Sequence, residues 1–239
     1  MTTPAPNTLR TLVVLQPGYL PWLGFFDQMH RADVFAYYDD VQFDKHGWRN
    51  RNRIKTPQGP LWLTVPVQHH GQGQPRINEM LIDHTSRWQR KHVATLKQYY
   101  AKAAYATRYL PELEELMNRP WTHLVELDIA LSGQMAAWMH LPIPTVRTST
   151  LGIDGTQSQR LINLCLHFGA NRYLSGDAAS AYLDVTLFAS HGIEVVWQNY
   201  QHPVYPQQHG TFEPYLSAID LLLNCGDTSA QILKSEPTE

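Results

Sequence analysis

Leu12-Val13-Val14-Leu15 is a short, uninterrupted apolar run, and its reading decides the fold. A strand whose every side chain is apolar must be buried on both faces, as in a parallel sheet covered by helices. The run breaks at Gln16-Pro17-Gly18-Tyr19-Leu20-Pro21, where two prolines and a glycine fix a loop. Residues 22–30 then set Trp22, Phe25, Phe26 and Met29 at helical spacing, and Asp33 precedes a second apolar run, Val34-Phe35-Ala36-Tyr37-Tyr38. Strand, helix, strand is the opening unit of a parallel α/β sheet.

After Tyr38 the chain is densely polar: Asp39-Asp40-Val41-Gln42-Phe43-Asp44-Lys45-His46-Gly47-Trp48-Arg49-Asn50-Arg51-Asn52-Arg53-Ile54. The turn Thr56-Pro57-Gln58-Gly59-Pro60 and the run Leu61-Trp62-Leu63-Thr64-Val65-Pro66-Val67 follow, so Ile54 and Leu61 are expected in a β-hairpin. Residues 69–75 read as an exposed Gly/Gln loop, and 76–82 as a further strand. Thr85 or Ser86 is placed to cap a helix over 87–100, with Trp88, His92, Leu96 and Tyr99 on one face. Residues 111–117 and 121–140 add helices. In the second, Leu124, Leu127, Leu131, Met135 and Trp138 form a core-facing stripe.

The second half alternates again. Val146 lies in a short strand, and a helix over 157–168 stops at Gly169. A strand at 172–174 ends in Ser175-Gly176-Asp177. A helix over 184–191 ends at Gly192, a strand spans 193–197, and the loop 200–210 leads to a helix at 216–223. The fold class is therefore α/β: a Rossmann-like, mostly parallel sheet flanked by helices, with a β-hairpin after the second strand and a helical insertion. The expected organisation is a single domain over 11–226, with 85–141 as the insertion and with flexible or peripheral ends at 1–10 and 227–239.

Composition narrows the function. The chain of 239 residues is 43% hydrophobic and 11% aromatic, with 17% charged side chains, below the roughly 25% of typical domains. Such a chain buries a core instead of staying disordered. Its net charge of −2 offers no basic excess for a phosphate backbone, so nucleic-acid binding is disfavoured. No signal peptide and no apolar stretch of membrane-spanning length occur, and a soluble cytoplasmic protein is expected. The two cysteines, Cys165 and Cys225, cannot make a disulfide framework and are expected as reduced structural thiols. The twelve histidines lack zinc-motif spacing, so no metal site is expected.

In an open parallel sheet, ligands bind at the carboxyl ends of the strands. Those ends deliver Gln16 to Tyr19; Asp39, Asp40, Gln42 and Lys45; Ser175 to Asp177; and residues 199–202. Asp39, Asp40 and Asn50 also suit plain turns. As a strand, residues 48–54 put Asn50 and Asn52 on one face and Arg49, Arg51 and Arg53 on the other. The arginine face fits either an anion site or a solvated edge. His92 points inward, which fits either a core histidine or a base beside an orienting carboxylate such as Asp40. Trp22 and Trp48 could stack on a sugar. The loop and helix start at Tyr19-Leu20-Pro21-Trp22-Leu23-Gly24-Phe25 resemble the phosphate-cradling loop of HIGH-type nucleotidylyltransferases, but Leu23 and Phe25 or Phe26 stand where that motif has histidines.

A more specific likeness runs from Leu12 to Gly226. Residues 16–24, Asp33-Val34, Asp39-Asp40-Val41-Gln42, Lys45, Trp48, Asn50-Arg51-Asn52 and Leu63-Thr64-Val65-Pro66-Val67 resemble the WbqC-like family. So do Trp88, Lys91-His92, Tyr173-Leu174-Ser175-Gly176, Tyr205-Pro206-Gln207, and the stretch from Phe212 to Asn224 with Ser217 and Asp220. The resemblance implies an acyltransferase of polysaccharide (O-antigen) or natural-product biosynthesis. It would move a glycyl-like or related acyl group from an acyl or peptidyl carrier protein to a small-molecule or sugar acceptor. Phosphopantetheine would be the donor arm and no other cofactor is implied.

Neither cysteine lies in a motif loop, so direct attack by the acceptor is expected, with no covalent acyl-enzyme. His92, or Asp40 acting with it, would be the general base; Asn50, Lys45 or the Gly176 N–H would stabilise the oxyanion. Gln16, Tyr19 and Arg51 would position substrate, with Trp22, Gln42, Trp48, Asn52, Ser175 and Gln207 completing the binding set. Nucleotidyl or adenylyl transfer, and non-catalytic binding of a sugar nucleotide or carrier protein, are the competing expectations.

Overall fold

The computed structural model describes residues 9–45, 47–68, 75–141 and 143–234. The expected leader through residue 8, the loop at 69–74 and the last five residues lie outside them. The chain divides into two compact units. Residues 1–15, 28–38 and 143–200 form the first, and 16–27, 39–142 and 201–239 the second.

The first unit is built on a five-stranded sheet. Its strands are β1 (Thr11–Leu15), β2 (Val34–Tyr37), β5 (Thr145–Arg147), β6 (Arg172–Ser175) and β7 (Glu194–Trp197), in the order β5-β2-β1-β6-β7, and every pairing is parallel. The two apolar runs that opened the sequence are thus central neighbours, with Leu12 beside Val34 and Leu15 beside Tyr37. Both are buried almost throughout, which is why they read as unbroken hydrophobic runs. Helices α5 (Gln157–His167) and α6 (Val185–Ser190) pack a core of Ile162, Leu164, Cys165 and Phe188 with Leu12, Ala36 and Tyr173. Gly169, at φ +61°, stops α5, and Ala170 N–H donates back to the Cys165 carbonyl at 2.8 Å. Asp184 caps α6 by accepting the Leu187 N–H at 2.9 Å.

The second unit holds the hairpin and the remaining helices. Strands β3 (Arg51–Thr56) and β4 (Gly59–Thr64) pair antiparallel with Ile54 opposite Leu61. Helices α2 (Trp88–Tyr100), α3 (Ala106–Met117) and α4 (Leu124–Trp138) pack in succession, and α7 (Ile219–Cys225) sits against α3 and β3. The α4 stripe of Leu124, Leu127, Leu131, Met135 and Trp138 is buried. A last helix, α8 (Ser229–Lys234), buries Leu233. Helix α1 (Leu23–His30) begins in the second unit and ends in the first.

Four local expectations are corrected. Residues 76–82 are not a strand. Glu79 accepts the Arg76 N–H at 2.8 Å and closes a 3₁₀ turn over Ile77–Glu79, leaving only isolated bridges at Arg76, Leu81 and Ile82. Neither Thr85 nor Ser86 caps α2: Asp83 accepts the Thr85 N–H at 2.8 Å, and Arg87 occupies the cap position. The buried face of α2 is Trp88, His92, Val93, Leu96 and Tyr100, with Tyr99 half-buried. Helix α3 starts five residues before Pro111 and carries that proline inside.

Candidate functional site

In the second unit the alternation at 49–53 sorts the side chains as their spacing implied. Asn50 and Asn52 are buried, and the three arginines are half-buried. The asparagines act on backbone. Asn50 Nδ2 donates to the Val65 carbonyl at 2.9 Å, and Asn52 Nδ2 to the Leu20 carbonyl at 2.7 Å. Arg49 Nη1 donates to the carbonyls of Gln16, at 2.9 Å, and Pro17, at 3.1 Å, while the Tyr19 N–H donates to the Arg49 carbonyl at 2.9 Å. Loop 16–21 is therefore stitched to the segment entering the hairpin. A Cβ on Gly18 would stand 2.9 Å from the Trp48 carbonyl oxygen, so the approach requires glycine.

This stitching fixes Tyr19, whose side chain is wholly buried. Its hydroxyl lies 2.9 Å from His92 Nδ1, and its ring is edge-on to Trp88 at 6.4 Å. Trp88, one helical turn before His92, packs edge-on to the imidazole at 5.4 Å. The backbone of Thr64 acts on the His92 ring in the sense that favours its protonated form. In the tautomer with the ring proton on Nε2, Nδ1 is the acceptor for the Tyr19 O–H. Burial lowers the His92 pKa to about 4; the Thr64 contact opposes this and the charge of Lys91 adds to it. The imidazole is thus neutral at pH 7.

Asp128 completes this group, and sequence reading missed it. It lies four residues after Leu124 and three before Leu131, on the core stripe of α4, and it is wholly buried. Burial holds its carboxyl well above the usual range, against the pull of Arg49. Its field in turn adds to the burial that raises the Tyr19 phenol. Burial also lowers Arg49, with Asp128 and Asp44 opposing. A carboxylate on an otherwise apolar helical stripe was the signal available in the sequence.

The other residues singled out in this unit fall into three places. Lys45 is exposed and shares an open pocket of about 260 Å³ with Phe43, Asn50, Thr64, Val65, Pro66 and Val67. Its wall at Thr64 is the same residue whose backbone meets His92. Trp48 and Trp62 pack at a tilt, 5.0 Å apart, on the outer hairpin face, Arg51 lies 4.8 Å over Trp62, and Trp22 packs on Tyr215 at 5.8 Å. Gln42 is exposed and bridges Arg76; Asp40 is half-buried and is not among the partners of His92. Gln207 belongs to a separate buried cluster. It accepts from Lys55 Nζ at 3.0 Å and from the Glu213 N–H at 2.9 Å, while Lys55 Nζ also donates to the Thr211 carbonyl. In the same cluster Tyr100 accepts the Lys55 N–H at 2.9 Å and donates to Asp220 at 2.7 Å.

Ser175 and Gly176 belong to the first unit. There the Ser175 carbonyl accepts the Gln198 N–H at 2.9 Å, and Gly176 lies against the amide pair Gln28–Gln198, itself joined at 2.8 Å. Both cysteines are buried and unbridged, and burial pushes the thiols up, Cys165 to about 12 and Cys225 to about 11. Among the described residues no three His, Cys, Asp or Glu side chains gather as metal ligands, and no helix is long and apolar enough to cross a membrane.

The comparisons with known proteins agree with the motifs. A curated relative, "Uncharacterized protein Rv1507c" of Mycobacterium tuberculosis, is 35% identical over 228 residues, covering 95% of this chain and 98% of its own. No solved structure matches. The WbqC-like family model matches residues 16–232, a span that holds Tyr19, His92 and Asp128 alike, and the chain belongs to the WbqC-like protein family.

Proposed function

We propose that the protein is an acyltransferase that moves an aminoacyl group from a carrier-protein thioester to an amine or hydroxyl acceptor in polysaccharide or natural-product biosynthesis. The observation that carries this reading is the buried Tyr19–His92 pair, a neutral imidazole with a phenol already hydrogen-bonded to its accepting nitrogen. Direct transfer needs a proton acceptor and no protein nucleophile. Both thiols, buried and pushed up, are unsuited to that second role. In this reading the acceptor nitrogen or oxygen attacks the thioester carbonyl. Its proton passes to the Tyr19 oxygen as the Tyr19 proton moves to His92 Nδ1. The C–S bond breaks, and the departing thiolate takes the proton back from His92 Nδ1 through the Tyr19 hydroxyl, which gives the free carrier thiol and restores the neutral imidazole. Lys45 and Asn50, on one pocket wall, are the candidates to face the oxyanion.

Nucleotidyl transfer has weaker support. Leu23, Phe25 and Phe26, which stand where phosphate-binding histidines would be needed, are buried apolar side chains. The test is incubation with a glycyl-loaded carrier and a panel of amines, followed by intact mass. Loss of the glycyl mass from the carrier with gain on the amine, abolished in Tyr19→Phe, is expected. ATP–pyrophosphate exchange without acyl transfer would overturn the reading.

A further inference from the structure

Asp128 is the least satisfied charged group among the described residues. It is wholly buried, and neither carboxylate oxygen has a hydrogen-bond partner. A buried carboxyl without partners costs several kcal/mol, a cost natural cores avoid unless the group serves a purpose. Its surroundings are specific. Arg49 acts on it electrostatically without hydrogen-bonding it, since Arg49 Nη1 is given to the carbonyls of Gln16 and Pro17. Tyr19 feels its charge, and the Trp88 ring beside Tyr19 has an indole N–H that is buried and likewise without a partner. A buried carboxylate with both oxygens free of hydrogen-bond partners is the chemistry that recognises a primary ammonium.

We propose that Asp128 receives the α-ammonium group of the aminoacyl donor, next to Tyr19 of the Tyr19–His92 pair. The assignment rests on the acyl-transfer reading for its context, and it names the donor class: an acyl group bearing a free amine on the carbon beside the carbonyl. It predicts discrimination between glycyl and acetyl donors, which differ by that amine. Binding requires Asp128 in its charged form. The groups that face it are Arg49, which favours that form, and Tyr19 with His92 behind it, both neutral. Burial raises this carboxyl's pKa and a bound ammonium lowers it, so binding is linked to proton release, and affinity rises with pH until the ligand amine itself deprotonates.

The probe is glycinamide, with N-acetylglycinamide as the control, on the full chain. Glycinamide is expected to raise the melting temperature in a concentration-dependent way. Calorimetry in buffers of different ionisation enthalpy should show proton release. N-acetylglycinamide should do neither, and Asp128→Asn should abolish the glycinamide response. The variant should still fold. A carboxyl whose folded pKa is raised subtracts stability as pH rises above its unfolded value, so Asp128→Asn should melt at or above the wild type at pH 8. With loaded carriers, the preference for glycyl over acetyl donors should fall at least about thirtyfold in Asp128→Asn. A glycinamide response that survives Asp128→Asn, one matched by N-acetylglycinamide, or none in the wild type overturns the assignment. If glycinamide binds through Asp128 but no carrier is unloaded, the assignment stands and the transfer reading falls. If both donors are transferred equally by wild type and variant, the reverse holds.

Discussion

His92 shows how one buried side chain makes pH-dependent stability visible. Its pKa is lowered from 6.5 to about 4, chiefly by burial. A base whose folded pKa is depressed contributes stability that is present above its unfolded pKa and lost as pH falls toward the folded one. The wild type should therefore lose stability from this group between pH 6.5 and 4. The shift corresponds to roughly 3 kcal/mol. His92→Gln, which can still hydrogen-bond Tyr19, should show a flatter pH dependence, so the difference between the two denaturation free energies should change by about that amount over the window. An unchanged difference would mean that the imidazole is far better solvated than its burial implies. His92 was legible in the sequence because it shares a helical face with Trp88 and Leu96. Asp128 and Lys55 were not, since a lone charge in a helix or a hairpin is usually solvent-facing. Only their register with apolar neighbours distinguishes them.

At the scale of elements, the hairpin and the loop before α1 form one device. The period-two alternation at 49–53 was enough to part the asparagines from the arginines, though not to say which set turns inward, and Ile54 pairs with Leu61 in the expected hairpin. The alternation did not reveal what the inward asparagines do. Asn52 holds the carbonyl of Leu20, a buried residue forced to φ +44°, and so fixes the backbone beside Tyr19. Asn52→Ala would leave that carbonyl buried without its donor, at a cost of about 1–3 kcal/mol. Urea unfolding should show that loss as a lower midpoint with unchanged slope. A change inside ±0.5 kcal/mol would mean that the carbonyl finds another donor. Two of the elements read wrongly share a cause. At 76–82 and at 83–87, carboxylates of Glu79 and Asp83 capture nearby backbone N–H groups, and such local bonds override the apolar pattern on which strand and cap assignments depend.

For the whole molecule, the decisive property is the interleaving of the chain. The second unit takes two segments from between those of the first and one from after them, and that C-terminal segment is structural as well as late. Helix α7 carries Asp220, which accepts the Tyr100 hydroxyl at 2.7 Å, while Gln207 and the Thr211 carbonyl hold the buried Lys55 ammonium. The apolar and aromatic periodicity that made the parallel sheet legible is local. This cluster joins residue 55 to 100 and 220, and nothing in spacing announces contacts across such separations. A chain ended at Tyr200 would keep every strand and helix of the first unit, yet would strip Lys55 and Tyr100 of their buried partners and uncover the face of α3 that α7 covers. An unpartnered buried ammonium costs several kcal/mol, comparable with the whole stability of a domain. The second unit of the shortened chain should therefore fail to fold. Six of the seven tryptophans, at 22, 48, 62, 88, 121 and 138, lie in that unit, against Trp197 in the first, so the failure should be read directly as red-shifted emission and loss of the near-ultraviolet dichroism. Emission and dichroism matching the full chain would show that the second unit assembles without its last segment, and that Asp220 and Gln207 are not needed to hold Tyr100 and Lys55 in its core.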